Sequence, residues 1–519
     1  MIGIPASRLR DLSWISWALA IVVVLTSRKI WKSYRRFRAM PPSPRGLPII
    51  GNVLQVPVSM PWLKFTEWAK EFGPIFSLNL VGQPVVVLNT FKVTNDLFER
   101  RSHLYSSRPR LIMAGEILTD GMFMAFSLYG PLWRRMRRAA HDGFSGRASE
   151  KYKPLQAKEA ALAVIGMIDN PDTWEKQLKR ATAAVILTAV YDWDSITEKD
   201  EPIVHRIDAV SARLSEAAAP GAYIVEFFHF LKHVPAWMAK WKREGMEWHE
   251  QETELFKSLN KDVEMKKKAE EMRSCFVGDL LDRQEQHRLS EKESAWLAGI
   301  LFSAGAETTS GTLTYFMLAM AIYPETIRKA HEELDRVVGR ERAPSFSDLE
   351  DLPYIQAMVK EILRWKPVAP IAMPRMIEED DVYEGYLIPK GTMVIPNVWA
   401  MNRDPEYFPD FSEFRPERFL EGISEGSNPM GHSTYGFGRR MCVGWNFANQ
   451  TLFITIASIL WALIIEAEKD NNGNAIIPPK EEFVDRGVIM APAPFKCTVT
   501  ERFPGAKELL ERDMPAEDR

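Results

Sequence analysis

The chain has 519 residues, of which 46% are hydrophobic and 26% charged, and a formal net charge of −3. These are ordinary values for a globular protein able to bury a large core, and they give no sign of a nucleic-acid partner, so any electrostatic role lies in local patches. Three scattered cysteines, Cys275, Cys442 and Cys497, exclude a disulfide framework and a paired-cysteine zinc site, which leaves a reduced, cytosol-facing bulk.

Residues 12–27, LSWISWALAIVVVLTS, carry no charge and precede a basic run with Arg28, Lys29, Lys32, Arg35, Arg36 and Arg38. At ~1.5 Å per residue this stretch spans ~24 Å, short of a ~30 Å hydrocarbon layer unless Ile30 and Trp31 contribute and the flanking cations snorkel. The pattern predicts one anchoring transmembrane helix. A cleaved signal peptide is the alternative, but no small-residue cleavage site follows, and the basic residues come after the apolar core. The positive flank would leave the remaining chain in the cytosol. PPSPRGLPIIGN, 41–52, reads as a stiff, non-helical spacer. The expected organisation is a membrane anchor and basic flank over 1–40, a proline-rich hinge over 41–52, one large catalytic domain over 53–500 and a polar tail over 501–519.

Within that domain, residues 73–89 hold two β-rich runs separated by Gly82 and Pro84, a hairpin pattern. Helical periodicity dominates from about 90 to 365, with long amphipathic stretches around 151–190 and 246–285. A strand-rich patch covers 382–396, a strong helix about 445–466, and a β-like tail 484–500. The fold class is therefore mainly α with small β-sheets, without internal repeats.

Five short motifs stand out. In WRRMRR, Trp133 and Arg137 share a helix face, although an exposed basic helix would look the same. AGAETTS, 304–310, places Glu307 and Thr308 in an apolar helix where Gly305 costs about 1 kcal/mol relative to Ala and so calls for a reason; polar filler is the bland account. In EILR, Glu361 and Arg364 lie three apart, the spacing of an ordinary surface pair, upstream of PERF with Arg418. Finally, YGFGRRMCVG, 435–444, crowds glycines and arginines round Cys442 just before a helix. Most free cysteines are merely small buried hydrophobes. Here glycines permit close backbone approach, and a helix N-terminus favours a thiolate. With no second cysteine or diagnostic histidine near, one thiolate holding a haem iron fits best.

Taken together, these motifs resemble the cytochrome P-450 superfamily of haem-thiolate monooxygenases, over about residues 40–500. The aromatic-G-x-G-x-R-x-C-x-G pattern is met by Tyr435, Gly436, Gly438, Arg440, Cys442 and Gly444. Tyr435 stands where phenylalanine is usual, and Val443 where many members have proline. The resemblance implies the cytochrome P-450 fold, haem b with Cys442 as axial iron ligand, and propionate contacts from Trp133, Arg137, Arg440 and, by a looser match, Arg375. It assigns Glu361, Arg364 and Arg418 to a structural network behind the cysteine loop. It makes Thr308 the holder of the proton relay, with Glu307 feeding it, and gives small residues such as Gly305 the task of opening space for dioxygen.

No flavin- or nucleotide-binding glycine motif is present, so the resemblance also implies an external, membrane-bound NADPH-cytochrome P-450 reductase as electron donor. Arg134, Arg135, Arg138 and Arg439 are candidates for its docking patch, or a plain solvated face. The expected location is the endoplasmic reticulum membrane, single-pass, with the catalytic domain facing the cytosol. The substrate pocket should draw on 110–126, Leu301 and Ala304, 368–373 and 488–489, with Ile112, Met113, Phe123, Met124, Phe302 and Ile371 as lining. Such apolar side chains suit a lipophilic substrate. The segment FFHFLKHVPAW, 227–237, could dip into the bilayer or be a buried connector. The texture is similar to fungal microsomal members that tailor terpenoids, polyketides or indoles by hydroxylation and further oxidation. A haem-thiolate isomerase or dehydratase using no dioxygen, and a non-catalytic haem-binding protein, are the rival readings.

Overall fold

A computed structural model describes residues 36–514, apart from 195, 197–200, 220 and 423–425, with a few positions between 17 and 28. The expected anchor over 12–27 lies largely outside the described residues, and among these no helix is long and apolar enough to cross a membrane. The proline-rich stretch 41–52 is docked along the first strand. Ser77 Oγ donates to the Pro41 carbonyl at 2.7 Å, and the Asn79 N–H donates to Asn52 Oδ1 at 2.9 Å.

Helix α1 (Pro61–Phe72) leads into the expected hairpin, β1 (Ile75–Leu80) and β2 (Gln83–Leu88). Its two turn residues, Val81 and Gly82, both have positive φ, 52° and 88°, as a tight hairpin turn demands. Helix α2 (Pro131–Phe144) carries the WRRMRR motif. The long pattern around 151–190 is two helices, α3 (Lys153–Asp169) and α4 (Trp174–Tyr191), divided where Pro171 cannot continue the first. Helices α5 (Glu201–Ala218) and α6 (Lys240–Lys268) follow.

The spine is α7 (Glu291–Ile322), 32 residues or ~48 Å long. A capping box starts it: Ser290 Oγ accepts from the Glu293 N–H, and the Glu293 carboxylate accepts from the Ser290 N–H. Being apolar all round, it is a buried helix. Its first half, Ala295–Phe302, packs with α4, α6 and 112–126, and its second, Leu313–Met320, with α3, α9 and the C-terminal helix. Between those two cores, 304–308 and Gly311 keep accessible surface, with Ala304 exposed.

After α8 (Pro324–Val337) and α9 (Pro353–Trp365) comes the strand-rich patch: β3 (Arg375–Met376), β4 (Asp381–Tyr383), β5 (Tyr386–Ile388) and β6 (Met393–Pro396). β6 runs parallel to β2 and antiparallel to β3, giving a sheet of order β1-β2-β6-β3. The C-terminal helix α10 (Trp445–Ala462) stops short of the expected 466. LIIEAEK instead forms β7 (Leu463–Lys469), whose alternating burial pairs with β11 (Cys497–Glu501), so period two overrides apolar continuity. Short strands β8 (Ala475–Ile476), β9 (Phe483–Asp485) and β10 (Met490–Pro492) lie between. The stretch expected as a polar tail forms α11 (Ala506–Asp513), which buries Ala506 and Leu510.

Candidate active site

Cys442 sits on a loop whose shape the glycines dictate. Gly436 and Gly438 have positive φ, 74° and 55°, and a Cβ on Gly438 would lie 2.2 Å from the Phe98 carbonyl oxygen. The loop closes when the Cys442 N–H donates to the Tyr435 carbonyl at 2.9 Å, and α10 begins at Trp445. Cys442 retains accessible surface although protein encloses it, so its thiol opens onto an interior space, not onto bulk water. Burial raises its pKa, and the Gly444 N–H and the Arg137 charge oppose that shift without overcoming it. The expected thiolate-favouring surroundings therefore do not suffice alone; iron coordination would deprotonate the thiol outright.

Around this loop the fold gathers arginines. The Arg440 guanidinium lies 4.2 Å from the Trp133 ring centre and donates to the carbonyls of Ser106, Met124 and Ser127 at 2.8, 3.0 and 2.8 Å. Arg375, on β3, donates to the Phe437 carbonyl at 2.5 Å and stacks 3.9 Å over Phe98. Arg108 donates to the carbonyls of Ala125, Met373 and Pro374. Burial pushes Arg440 down to about 8, reinforced by the charges of Arg108, Arg375 and Arg137. Burial likewise lowers Arg108 to about 10, and lowers Arg137 and Arg375. A guanidinium does not surrender its proton in a protein, and among the described residues none of the four has an ion-pair partner. Such a cluster calls for a compact group with more than one negative charge. The fold brings the sequence candidates Trp133, Arg137, Arg375 and Arg440 together and adds Arg108, which nothing in its local spacing sets apart.

On α7, Thr308 Oγ1 donates to the Ala304 carbonyl at 2.8 Å. Glu307 borders a cavity of about 590 Å³ shared with Lys179, Ser215 and Arg486, which opens the acid to water. Gly305 has a packing reason that differs from the expected one: a Cβ there would meet Ile186 Cγ1 of α4 at 2.9 Å. Of the expected pocket lining, Ile112, Met113 and Phe302 are fully packed, whereas Phe123, Met124 and Ile371 keep accessible surface.

The network behind the loop is assembled. Glu361, wholly buried, accepts from Arg364 Nε and Nη2, both at 2.7 Å, from Arg418 Nε at 3.2 Å and from the Arg415 N–H at 2.8 Å. Arg364 also donates to the Asn402 carbonyl. The Asn402 side chain in turn accepts from the Ser433 N–H at 2.7 Å, two residues before Tyr435. On the surface, Arg134 and Arg439 flank the Tyr129 ring, while Arg135 is tied to Glu293 at 2.9 Å.

Comparison with known proteins decides the assignment. The cytochrome P450 family profile matches residues 41–499. The chain belongs to the cytochrome P450 family. It is 51% identical to cytochrome P450 monooxygenase 58 of Postia placenta, over 98% of both chains, and 44% identical to a cytochrome P450 monooxygenase of Armillaria gallica, over 96% of both. A zebra fish cytochrome P450 solved with progesterone superposes with a TM-score of 0.71 at 26% identity, covering 85% of this chain and 99% of its own. The enzyme is thus a cytochrome P450 monooxygenase, and P450s bind haem through a cysteine thiolate. The residues present fit that group: Cys442 offers the sulfur ligand, and four arginines, Arg108 and Arg375 buried and Arg137 and Arg440 half-buried, with no ion-pair partner among the described residues, suit its two propionates.

Proposed function

We propose that Cys442 is the axial iron ligand and that Trp133, Arg137, Arg375 and Arg440, joined by Arg108, hold the haem propionates. The cluster of Arg108, Arg137, Arg375 and Arg440 beside the cysteine loop, two of them buried and two half-buried and none with an ion-pair partner among the described residues, is the observation that carries this reading. When bound, the haem supplies dioxygen activation, with the thiolate's electron density favouring O–O cleavage. The chain's own part is proton delivery: Thr308 passes a proton at the accessible stretch of α7, and Glu307, beside the cavity it shares with Lys179 and Arg486, replenishes it. Electrons come from an NADPH-cytochrome P-450 reductase docking on the exposed Arg134, Arg138 and Arg439.

The substrate is a lipophilic small molecule, hydroxylated and further oxidised in fungal secondary metabolism. The domain order is an anchor over 1–40, a spacer over 41–52, the haem domain over 53–500 and a closing segment over 501–519, with the enzyme on the cytosolic face of the endoplasmic reticulum membrane. Exposed Phe227, Phe228, Phe230, Trp237 and Met238 support a second contact with the bilayer. The test is co-expression with a reductase, feeding lipophilic precursors under oxygen-18 gas. A labelled product one oxygen heavier, lost in Cys442→Ser, is expected. An unlabelled isomer or dehydration product from folded haem protein would overturn the monooxygenase assignment for this chain's substrate.

A further inference from the structure

Tyr435 brings a hydroxyl to a place where the cysteine-loop pattern usually has a phenylalanine. Its backbone carbonyl accepts from the Cys442 N–H at 2.9 Å, so the residue lies directly against the cysteine. The chain just before it is fixed from the α9 side: Thr434 Oγ1 donates to the Leu363 carbonyl at 2.6 Å and accepts from Asn402 Nδ2 at 3.1 Å. The ring meets His432 edge-on, with centres 5.3 Å apart. The hydroxyl crosses to α10, where it donates to Asn449 Oδ1 at 2.7 Å. Like Cys442, Tyr435 keeps accessible surface although protein encloses it, so its ring also borders interior space. Burial first, and then the charge on Cys442, acts on the phenol and keeps its proton in place. Sulfur and Asn449 are therefore rival acceptors for one hydroxyl.

We infer that Asn449 is a positioning residue: by accepting the Tyr435 hydroxyl on α10 it holds this donor off the Cys442 sulfur, and so keeps the sulfur's electron density for the iron. This rests on the reading of Cys442 as iron ligand. An enclosed phenol hydroxyl finds a partner wherever one stands, and a hydrogen bond donated to a metal-bound thiolate draws density away from the metal. Phenylalanine never presents that choice. Tyrosine does, and the asparagine on the neighbouring helix settles it. Asn449 does not touch the reacting atoms. It acts through the direction in which the Tyr435 hydroxyl points.

Carbon monoxide bound to the reduced, haem-loaded protein is the probe, because the position of its Soret band reports how strongly the sulfur donates to iron. Asn449→Leu removes the acceptor at similar volume. Its Soret band should shift to shorter wavelength and its reduction midpoint should rise. Asn449→Ala should behave alike, and serves if the leucine variant does not take up haem. Tyr435→Phe, which removes the donor itself, should keep the parent's band, and the double variant Asn449→Leu/Tyr435→Phe should return to it. An unmoved band and midpoint in folded, haem-loaded Asn449→Leu would overturn the inference. Equal shifts in the single and double variants would also overturn it, since the hydroxyl would then play no part. If the parent itself gave no thiolate-type band, the iron-ligand reading would fail and the inference with it, whereas a normal parent beside unmoved variants removes the inference alone.

Discussion

Replacing Glu361 by glutamine keeps the shape of the side chain and removes one charge. In the folded protein that carboxylate is wholly buried and accepts four hydrogen bonds, from Arg364 twice, from Arg418 and from the Arg415 N–H. Glutamine retains one oxygen, which can keep the three bonds made by Oε1, but it turns an NH₂ towards Arg364 Nε, donor against donor. Worse, among the described residues Glu361 is the one carboxylate within ion-pair distance of Arg364 or Arg418, so two buried guanidiniums lose their counter-charge. Breaking a buried pair in this way costs about 3–5 kcal/mol, a fifth or more of the ~5–15 kcal/mol that holds a typical domain together. Urea unfolding of the haem-loaded protein, followed at once by Soret absorbance and far-ultraviolet circular dichroism, measures it. Because Asn402 carries the network on to Ser433, Soret loss should precede loss of helix. A Glu361→Gln variant within 1 kcal/mol of the parent would refute the reasoning.

Three further outcomes are expected. Gly438→Ala forces a Cβ to 2.2 Å from the Phe98 carbonyl at φ +55°, and should cost roughly 2–4 kcal/mol and most haem occupancy, read by haem content per protein. Lys366 is buried under Trp365, Trp399 and Phe483 with Glu481 at 3.1 Å, and burial pushes its pKa down to about 7. The unfolded lysine keeps its proton to about pH 10.4, so between these values the unfolded state binds more protons and this group's contribution to stability rises with pH. Lys366→Met should therefore be the more stable protein at pH 6, by roughly 4–5 kcal/mol, with the advantage shrinking by pH 9; denaturation midpoints giving a pH-independent difference would contradict the account. Thr308→Ala should leave the carbon monoxide difference spectrum intact yet divert NADPH electrons to peroxide several-fold, measured as product formed per NADPH consumed, and unchanged coupling would remove Thr308 from the relay.

Much of this was legible in the sequence because it is local. Gly82 and Pro84 between β-rich runs marked the hairpin, and the glycine spacing round Cys442 survives as left-handed backbone at Gly436 and Gly438. What escaped notice depends on distant partners. Arg108 stands out only once Arg137, Arg375 and Arg440 come round it. Gly305 looked like a space-maker until Ile186 of α4 supplied a packing reason. LIIEAEK continued an apolar helix until the strand Cys497–Glu501, more than thirty residues on, offered it hydrogen bonds. Cys442 illustrates the same limit, since its helix-terminal position favoured a thiolate but the surrounding burial outweighs it.

Because α7 is gripped by one core towards each end and keeps accessible surface over 304–308 between them, Glu307 and Thr308 are insulated from the connections that line the approach to them. Phe123, Met124 and Ile371 belong to loops and short turns whose backbone is tied down elsewhere. Side chains there can be exchanged without disturbing the helix, whereas an exchange within either gripped half would unseat both cores. An ancestor built this way could acquire new substrates by drift at its loops while its oxygen chemistry stood still, and diversity among such enzymes should concentrate in those connections.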